Sequence, residues 1–274
     1  KTGFLDGMAD ADVGLPQVRT FNRRADPKWI GWQGKRVMEN TSYIGLSRQI
    51  ALGRQLDMVA NNVANMNSSG FKGERAIFEE FLVKTSNRKE LSYVQDRGQW
   101  RDTQEGPMQR TGNPYDLAIK GEAYFVVGTT DGPRYTQNGR FQLDAEGTLV
   151  TQSGFPVLDD NGDPVVIDPL DGAITVSAEG TVIGELGEIA RLQLVQFENE
   201  QELRKIGDSL YSSQQDPQDP DSAQVLQGMF EGSNVKGVVE MTRMMDVVRA
   251  YTSTANMLQS NHDLQRRAVE RLGE

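Results

Sequence analysis

Of the residue types that do chemistry, this 274-residue sequence offers few in company. Histidine occurs once, at His262, and cysteine not at all, so no disulfide, thiolate metal site, thiol nucleophile or histidine-based triad can be assembled. His262 falls on the apolar seam of a long helical pattern, where packing or exposure is the ordinary role and metal ligation the rare one. Asp159-Asp160-Asn161-Gly162-Asp163 resembles a calcium loop superficially. Its glycine stands fourth instead of sixth, and Leu170 takes the place of the bidentate glutamate, so it reads as a turn. No Gly-rich phosphate loop, Walker lysine or Gly-x-Ser-x-Gly elbow occurs. Carboxylate pairs remain, and a glycoside hydrolase needs only two of them. A β-rich carbohydrate-active or carbohydrate-binding protein of the cell envelope is therefore one reading. The expectation from the residues is no catalytic group, no cofactor and no metal.

Composition narrows the partners. A hydrophobic content of 37% and a mean hydropathy of -0.55 lie low for a compact enzyme but above the disordered range, so a real core with long solvated parts is expected. The formal net charge is -10, which argues against nucleic acid or an anionic membrane as partner, since both are bound by clustered Lys and Arg. Residues 114–212 carry 17 acidic and six basic side chains, whereas 38–73 and 234–274 are close to neutral, as packed helices would be. No window approaches the ~18 apolar residues of a membrane span, and no short apolar run follows a basic start. Membrane insertion and a secretory signal peptide are thus not expected. A chain with neither stays in the cytoplasm or leaves by another route.

The elements able to position side chains lie at the two ends. Residues 1–37 are aperiodic and rich in Gly, Pro, Asp and Arg, and are expected to be disordered. Asn40, Thr41 or Ser42 then caps a helix of about 41–67, whose face gathers Ile44, Ala51, Leu52, Leu56, Met58, Val59, Val63 and Met66. That helix runs into Asn61-Asn62-Val63-Ala64-Asn65, where amide side chains bond the backbone groups a helix end leaves free; Gly70 follows, able to take positive φ. Residues 74–113 are expected to be a linker, with Glu74–Val83 a short helix or extended. From Tyr115 the period becomes two. Leu117–Gly121, Ala123–Val127 and Arg134–Phe141, with Asn138-Gly139 as a turn, predict strands of an all-β domain over 114–212. Phe141–Val150 and Ile174–Ile183 echo one another around a shared Ala-Glu-Gly-Thr. Residues 213–227, with Asp216-Pro217-Gln218-Asp219-Pro220-Asp221, predict a second linker.

The last segment, 228–274, holds the longest periodic pattern. Val238, Met241, Met245, Val248, Thr252 and Ala255 form one seam, and Met244, Val248, Tyr251, Ala255, Leu258, His262, Gln265, Val269 and Leu272 a second. A helix of ~35 residues spans ~50 Å. Only one neighbour, the Met38–Asn67 helix, can come from the same chain. Other copies or other proteins must cover the rest, which is the physical case for an assembly subunit.

Asn61, Asn62, Val63, Ala64 and Asn65, followed by Gly70-Phe71-Lys72, resemble the N-terminal signature of the bacterial flagellar rod and hook proteins. Glu231-Gly232-Ser233-Asn234-Val235, Glu240-Met241 and Arg249-Ala250-Tyr251 resemble the C-terminal segment of the same family, and the Gly-Glu-Ala-Tyr-Phe-Val-Val and Tyr-Thr-Gln-Asn-Gly-Arg-Phe stretches its middle. The resemblance covers about 38–274. It implies an α+β fold: long N- and C-terminal helices forming a coiled-coil-like unit, with a central all-β domain of short antiparallel strands. It further implies a non-enzymatic subunit of the basal-body rod, periplasmic and exported by the flagellar type III apparatus. Such a subunit would contact other rod proteins and copies of itself through the terminal helices and transmit torque. Tyr43-Ile44-Gly45-Leu46-Ser47-Arg48-Gln49 and the single β domain are most similar to the proximal rod branch; distal rod and hook-like subunits share the signatures. The implied assembly residues are Asn61, Asn62, Asn65, Gly70, Phe71, Lys72, Ser233 and Asn234 as signature. The implied seam is Ile44, Ala51, Met58, Val63, Val238, Met241, Met245, Val248, Tyr251, Ala255 and Leu258.

Overall fold

The computed structural model describes residues 30–84, 90–168 and 172–272. It divides into a first unit, Lys1–Thr41, and a second, Ser42–Glu274. In the first, the described residues from Ile30 onward are helical; residues 1–29, most of the expected disordered extension, lie outside the described residues.

Helix α1 (Ile30–Ala64) opens well ahead of the expected cap at Asn40–Ser42. Residues 30–41 hold no proline, and once a helix exists each further residue costs little, so the capping types there sit inside the helix. Its end falls where the asparagines stand. Asn65 Nδ2 donates to Asn61 O at 2.9 Å, Ser68 Oγ donates to Asn65 Oδ1 at 3.1 Å, and Gly70 takes φ +64°. Helix α2 (Gly237–Leu272) follows a non-helical run from Gly232 and carries Glu240 in its first turn, where the dipole favours an anion. Leu258 closes on Gly45, Tyr251 on Gly53 and Met66 on Gly237, so α1 and α2 lie side by side and antiparallel. A Cβ on Gly45 would stand 2.6 Å from Leu258 Cδ2, so a larger residue there would push the leucine side chain aside. No helix among the described residues is long and apolar enough to cross a membrane.

Between the helices the described residues form sixteen strands: β1 (Glu74–Lys84), β2 (Glu90–Arg101), β3 (Met108–Arg110), β4 (Leu117–Lys120), β5 (Tyr124–Thr129), β6 (Gly132–Thr136), β7 (Phe141–Leu143), β8 (Leu149–Thr151), β9 (Thr175–Val176), β10 (Thr181–Gly184), β11 (Gly187–Arg191), β12 (Leu194–Val195), β13 (Arg204–Gly207), β14 (Leu210–Ser212), β15 (Gln224–Gln227) and β16 (Met229–Glu231). The pairings are antiparallel, and the widest sheet runs β12-β5-β6-β14-β13. β5 shows why its sequence is apolar without alternation. Tyr124 and Val126 enter one core with Tyr135, Phe197, Leu203 and Tyr211, while Phe125 and Val127 enter a second with Leu117, Phe141, Leu149 and Val157. A strand buried on both faces has no polar side to show.

The echo in the sequence is a repeated hairpin. In β7–β8, Asp144 and Thr148 pair around Gly147 at φ +84°, and in β9–β10, Ser177 and Thr181 pair around Gly180 at φ +87°. The side chain opening each turn accepts from the backbone N–H that closes it, Asp144 from Thr148 and Ser177 from Thr181.

Three expectations need correction. The linker of 74–113 is largely strand: β1 and β2 form a long ribbon, and β3 pairs with β16. Local pattern misled because these strands are fixed by their pairing with each other and with β16, which spacing along the sequence does not show. The linker of 213–227 ends in β15, which pairs with β4 and places Val225 in the larger core at 3% exposure. Proline and aspartate stop the chain only as far as Asp221. Asn138-Gly139 joins no hairpin, since β6 pairs with β5 and β14, and β7 with β8. Gly139 is there for a close crossing, because a Cβ would stand 1.6 Å from Leu117 O.

The β unit therefore borrows its last strands from beyond residue 212. A fragment spanning 114–212 leaves the β4 edge open and the Val225 slot empty, and we expect it to melt without a cooperative transition. A fragment spanning 106–232 restores β3, β15 and β16 and is expected to melt cooperatively in circular dichroism. Equal cooperativity of the two would show that β15 is dispensable.

Candidate functional site: the signature junction and the helix faces

The two signature stretches, far apart in sequence, meet where the helices enter the β unit. Chain reversal after α1 brings Gly70-Phe71-Lys72 against β16 and the run before α2: Gly70 N donates to Glu231 O at 2.8 Å and Asn234 N to Phe71 O at 3.2 Å. At the centre Lys72 Nζ donates to Glu231 Oε1 at 2.7 Å, both side chains being 3% exposed. The ammonium also donates to Gln104 O at 3.0 Å and Thr103 O at 3.4 Å, so its three donors are matched. Glu231 Oε1 accepts in addition from Gly106 N. A buried ion pair survives the loss of water only when such further bonds complete it.

Asparagines tie the surrounding backbone. Asn234 Oδ1 accepts from Gly73 N at 2.8 Å, and its Nδ2 donates to Asp102 O and Gln104 O at 2.8 and 3.0 Å. Asn62 takes both backbone groups of Glu74. Backbones pass close here: a Cβ on Gly70 would stand 2.6 Å from Gln137 C, and one on Gly106 2.0 Å from Gly232 O. Phe71, 3% exposed, lies under the Lys205 ammonium, 3.8 Å from its ring centroid. Lys205 Nζ is buried without a hydrogen-bond partner, and burial pulls its pKa below the usual lysine range against the pull of Glu74; the aromatic face supplies the missing stabilisation. Arg101, 4% exposed, donates to Glu200 O and Leu203 O and lies 4.6 Å from the Tyr211 ring centroid. Burial pushes the Tyr211 hydroxyl up to about 12, with Arg101 opposing it.

All of the signature residues but Asn61 are thus engaged within the chain. Asn62, Phe71, Lys72 and Ser233 are buried, Gly70 is enclosed, Asn65 and Asn234 are half-buried and hydrogen-bonded, and Asn61 is exposed. Glu231 was legible only as part of the run before α2, and Arg101, Gly106 and Gln201 carried no sequence signal, because their partners lie 100 or more residues away.

The expected seam residues divide into two sets. Ala51 is buried, and Ile44, Met58, Val63, Tyr251, Ala255 and Leu258 are half-buried. Val238 (80%), Met241 (44%), Met245 (53%) and Val248 (41%) are exposed, one stripe at 3-4 spacing on α2. The first seam thus faces away from the chain, while Tyr251 and Leu258 of the second close on Gly53 and Gly45 of α1. On α1, Tyr43, Leu46 and Ile50 are also exposed, a stripe that sequence reading missed because it was tuned to one broad face.

Beside the junction lies an open polar cleft of about 870 Å³, lined by Glu74, Arg134, Gln201, Glu202, Lys205 and others. Of its carboxylates, Glu202 is hydrogen-bonded to Asn199 and Gln215, while Glu74 Oε1 lies 3.9 Å from Arg101 Nε, beyond hydrogen-bond distance. His262 is exposed on α2. The calcium-like stretch is a turn in which Asp159 accepts from Asn161 N and Asp163 N; slight burial raises its pKa, but these bonds outweigh it and hold the carboxyl below the usual range. The described residues hold no grouping of three or more metal-ligand side chains.

Three family descriptions match successive parts of the chain: "Flagella basal body rod protein" over residues 43–72, "Flagellar hook protein FlgE/F/G D1 domain" over 118–184 and "Flagellar basal body rod FlgEFG protein C-terminal" over 226–271. The first and third contain the two halves of the junction. Among relatives, the chain is 43% identical over 248 residues to the flagellar basal-body rod protein FlgF of Caulobacter vibrioides, covering 86% of this chain and 99% of that one. It is 34% identical over 239 residues to FlgF of Rhizobium meliloti, covering 86% and 99%, and 30% identical over 256 residues to the rod protein FlgG of Bacillus subtilis, covering 83% and 97%.

Proposed function

The chain belongs to the flagellar basal-body rod protein family, and from that premise we propose that it polymerises through the outer faces of its terminal helices and carries torque along the rod. Its place is the basal-body rod, and its role is structural. The observation that carries the assembly reading is the α2 stripe of Val238, Met241, Met245 and Val248. Four apolar side chains at helical spacing, 41–80% exposed in the free chain, lose water only when another protein covers them. The partners are other rod components and copies of this chain. The helix pair works as a coiled-coil-like unit, glycine contacts at Gly45 and Gly53 letting α1 and α2 approach closely. The junction makes the helices and the β unit one mechanical piece, since Lys72, Asn62 and Asn234 bond across it.

Export through the flagellar type III apparatus, a periplasmic location and a proximal position belong to the same proposal, the last supported by the opening Tyr43–Gln49 and the single β unit. Purified basal bodies from cells expressing a tagged chain test it. The tag is expected in the rod fraction, and a tag confined to the cytoplasm would refute the assembly reading.

A further inference from the structure

Sulfur enters this chain only as thioether: it has ten methionines and no cysteine. A thioether is apolar enough to pack and soft enough to be oxidised, so its surroundings decide whether an oxidant reaches it. Met66 is half-buried beyond the end of α1, where a Cβ on Gly237 would stand 2.6 Å from its Sδ. Met58 and Met244 are half-buried as well. Among the described residues the exposed thioethers are Met241 (44%), Met245 (53%) and Met257 (50%), all on α2.

These three are not equivalent. Met241 and Met245 stand one turn apart, so they are neighbours on the helix surface, and with Val238 and Val248 they make up the outward stripe. Met257 follows Met241 by sixteen positions, which is roughly 160° round the helix at 100° per residue. It lies beside α1, its Cε 3.5 Å from where a Cβ on Gly45 would stand. Leucine would serve the stripe with the same helix propensity and nearly the same volume. What methionine adds there is a reactive sulfur open to solvent.

We propose that Met241 and Met245 form an oxidation site that switches the α2 stripe from apolar to polar. A lone pair on the sulfur attacks one oxygen of hydrogen peroxide, the O–O bond breaks, and the other oxygen leaves as water with both protons. The sulfur is thereby oxidised by two electrons to a sulfoxide. The sulfoxide oxygen stays hydrated in the free chain, but under a covering protein it must give up that water, as a carboxylate at Val248 would. Reversal takes two thiols, which become a disulfide while the sulfoxide oxygen leaves as water. This chain has no cysteine to supply them, so a separate thiol-dependent reductase is the partner of the site. The effect on assembly rests on the rod-subunit reading, whereas the selectivity of oxidation is a property of the free chain.

Both parts are tested separately. The purified full chain is treated with dilute hydrogen peroxide and followed by peptide mass spectrometry. Met241 and Met245 are expected to oxidise about tenfold faster than Met66. Equal rates would overturn the site. Glutamine, close to a sulfoxide in size and polarity, then stands in for the oxidised state. Rod occupancy in purified basal bodies is expected to fall about tenfold or more for Met241→Gln/Met245→Gln. It is expected to stay normal for Met241→Leu/Met245→Leu and for Met257→Gln. Normal occupancy of the double glutamine variant overturns the switch while leaving the rod reading intact. Equal loss with the leucine pair or with Met257→Gln would show that polarity at this pair is not the cause, and overturns it too. Absence of the unsubstituted chain from basal bodies overturns both the switch and the rod reading.

Discussion

Lys72→Met is expected to cost the chain about 3–5 kcal/mol of unfolding free energy. The substitution leaves Glu231, 3% exposed, with its charge and without its cation, while the Thr103 and Gln104 carbonyls lose their donor. Methionine fills much of the volume of the lysine stem, so the loss is electrostatic and not a cavity effect. Lys72→Met/Glu231→Gln is the informative companion: it removes the stranded charge and keeps an oxygen for Gly106 N, and is expected to recover a substantial part of the loss. Urea melts of the full chain followed at far-ultraviolet wavelengths measure both. If the single variant lost under about 1 kcal/mol, the pair would behave as a solvated surface bridge, and the junction would not be the dry centre described above.

Val248→Asp is expected to abolish incorporation into the rod while leaving the free chain almost as stable as before. Val248 is 41% exposed and its neighbour Val247 5% exposed, so adjacent positions on α2 separate assembly from folding. At Val248 a carboxylate stays hydrated in the free chain, but in the assembled rod it must give up water without a partner, at a cost of several kcal/mol per subunit. Val247→Asp is expected to destabilise the chain itself, and Arg271→Asp, exposed in the last turn, to have the smaller effect on assembly. Rod occupancy in purified basal bodies, set beside thermal melts of the purified variants, distinguishes the outcomes. Normal occupancy with Val248→Asp would mean that the exposed stripe is not an intersubunit face.

Both effects arise from one arrangement. The signature residues that mark the chain bond inward and hold its parts together, while less distinctive valines and methionines face outward. Conspicuous polar residues at a helix end looked like assembly contacts because sequence shows their types and not their partners. Lys72 spends its three donors on two backbone carbonyls and Glu231, and Asn62 bonds both backbone groups of Glu74, which leaves little with which to bind a neighbour.

What the sequence determined by itself are the features set by neighbours a few residues apart. The helix end at Asn61–Gly70, the 3-4 stripes of α2, the apolar run of β5 and the twin hairpins around Ala-Glu-Gly-Thr all follow from local spacing and turn chemistry. That cysteine is lacking and histidine occurs once was equally plain. Only the tertiary structure decided the rest. It made strands of much of 74–113, because the pairing of β1 with β2 and of β3 with β16 leaves no mark in local spacing. It placed β15 in the β unit and Glu231 on Lys72, pairings that close loops of more than a hundred residues and leave no trace in local pattern. It also divided the seam between Leu258, turned to Gly45, and Val248, turned to solvent. Periodicity fixes which residues share a face of a helix, but the direction of that face is set by what the rest of the chain leaves uncovered.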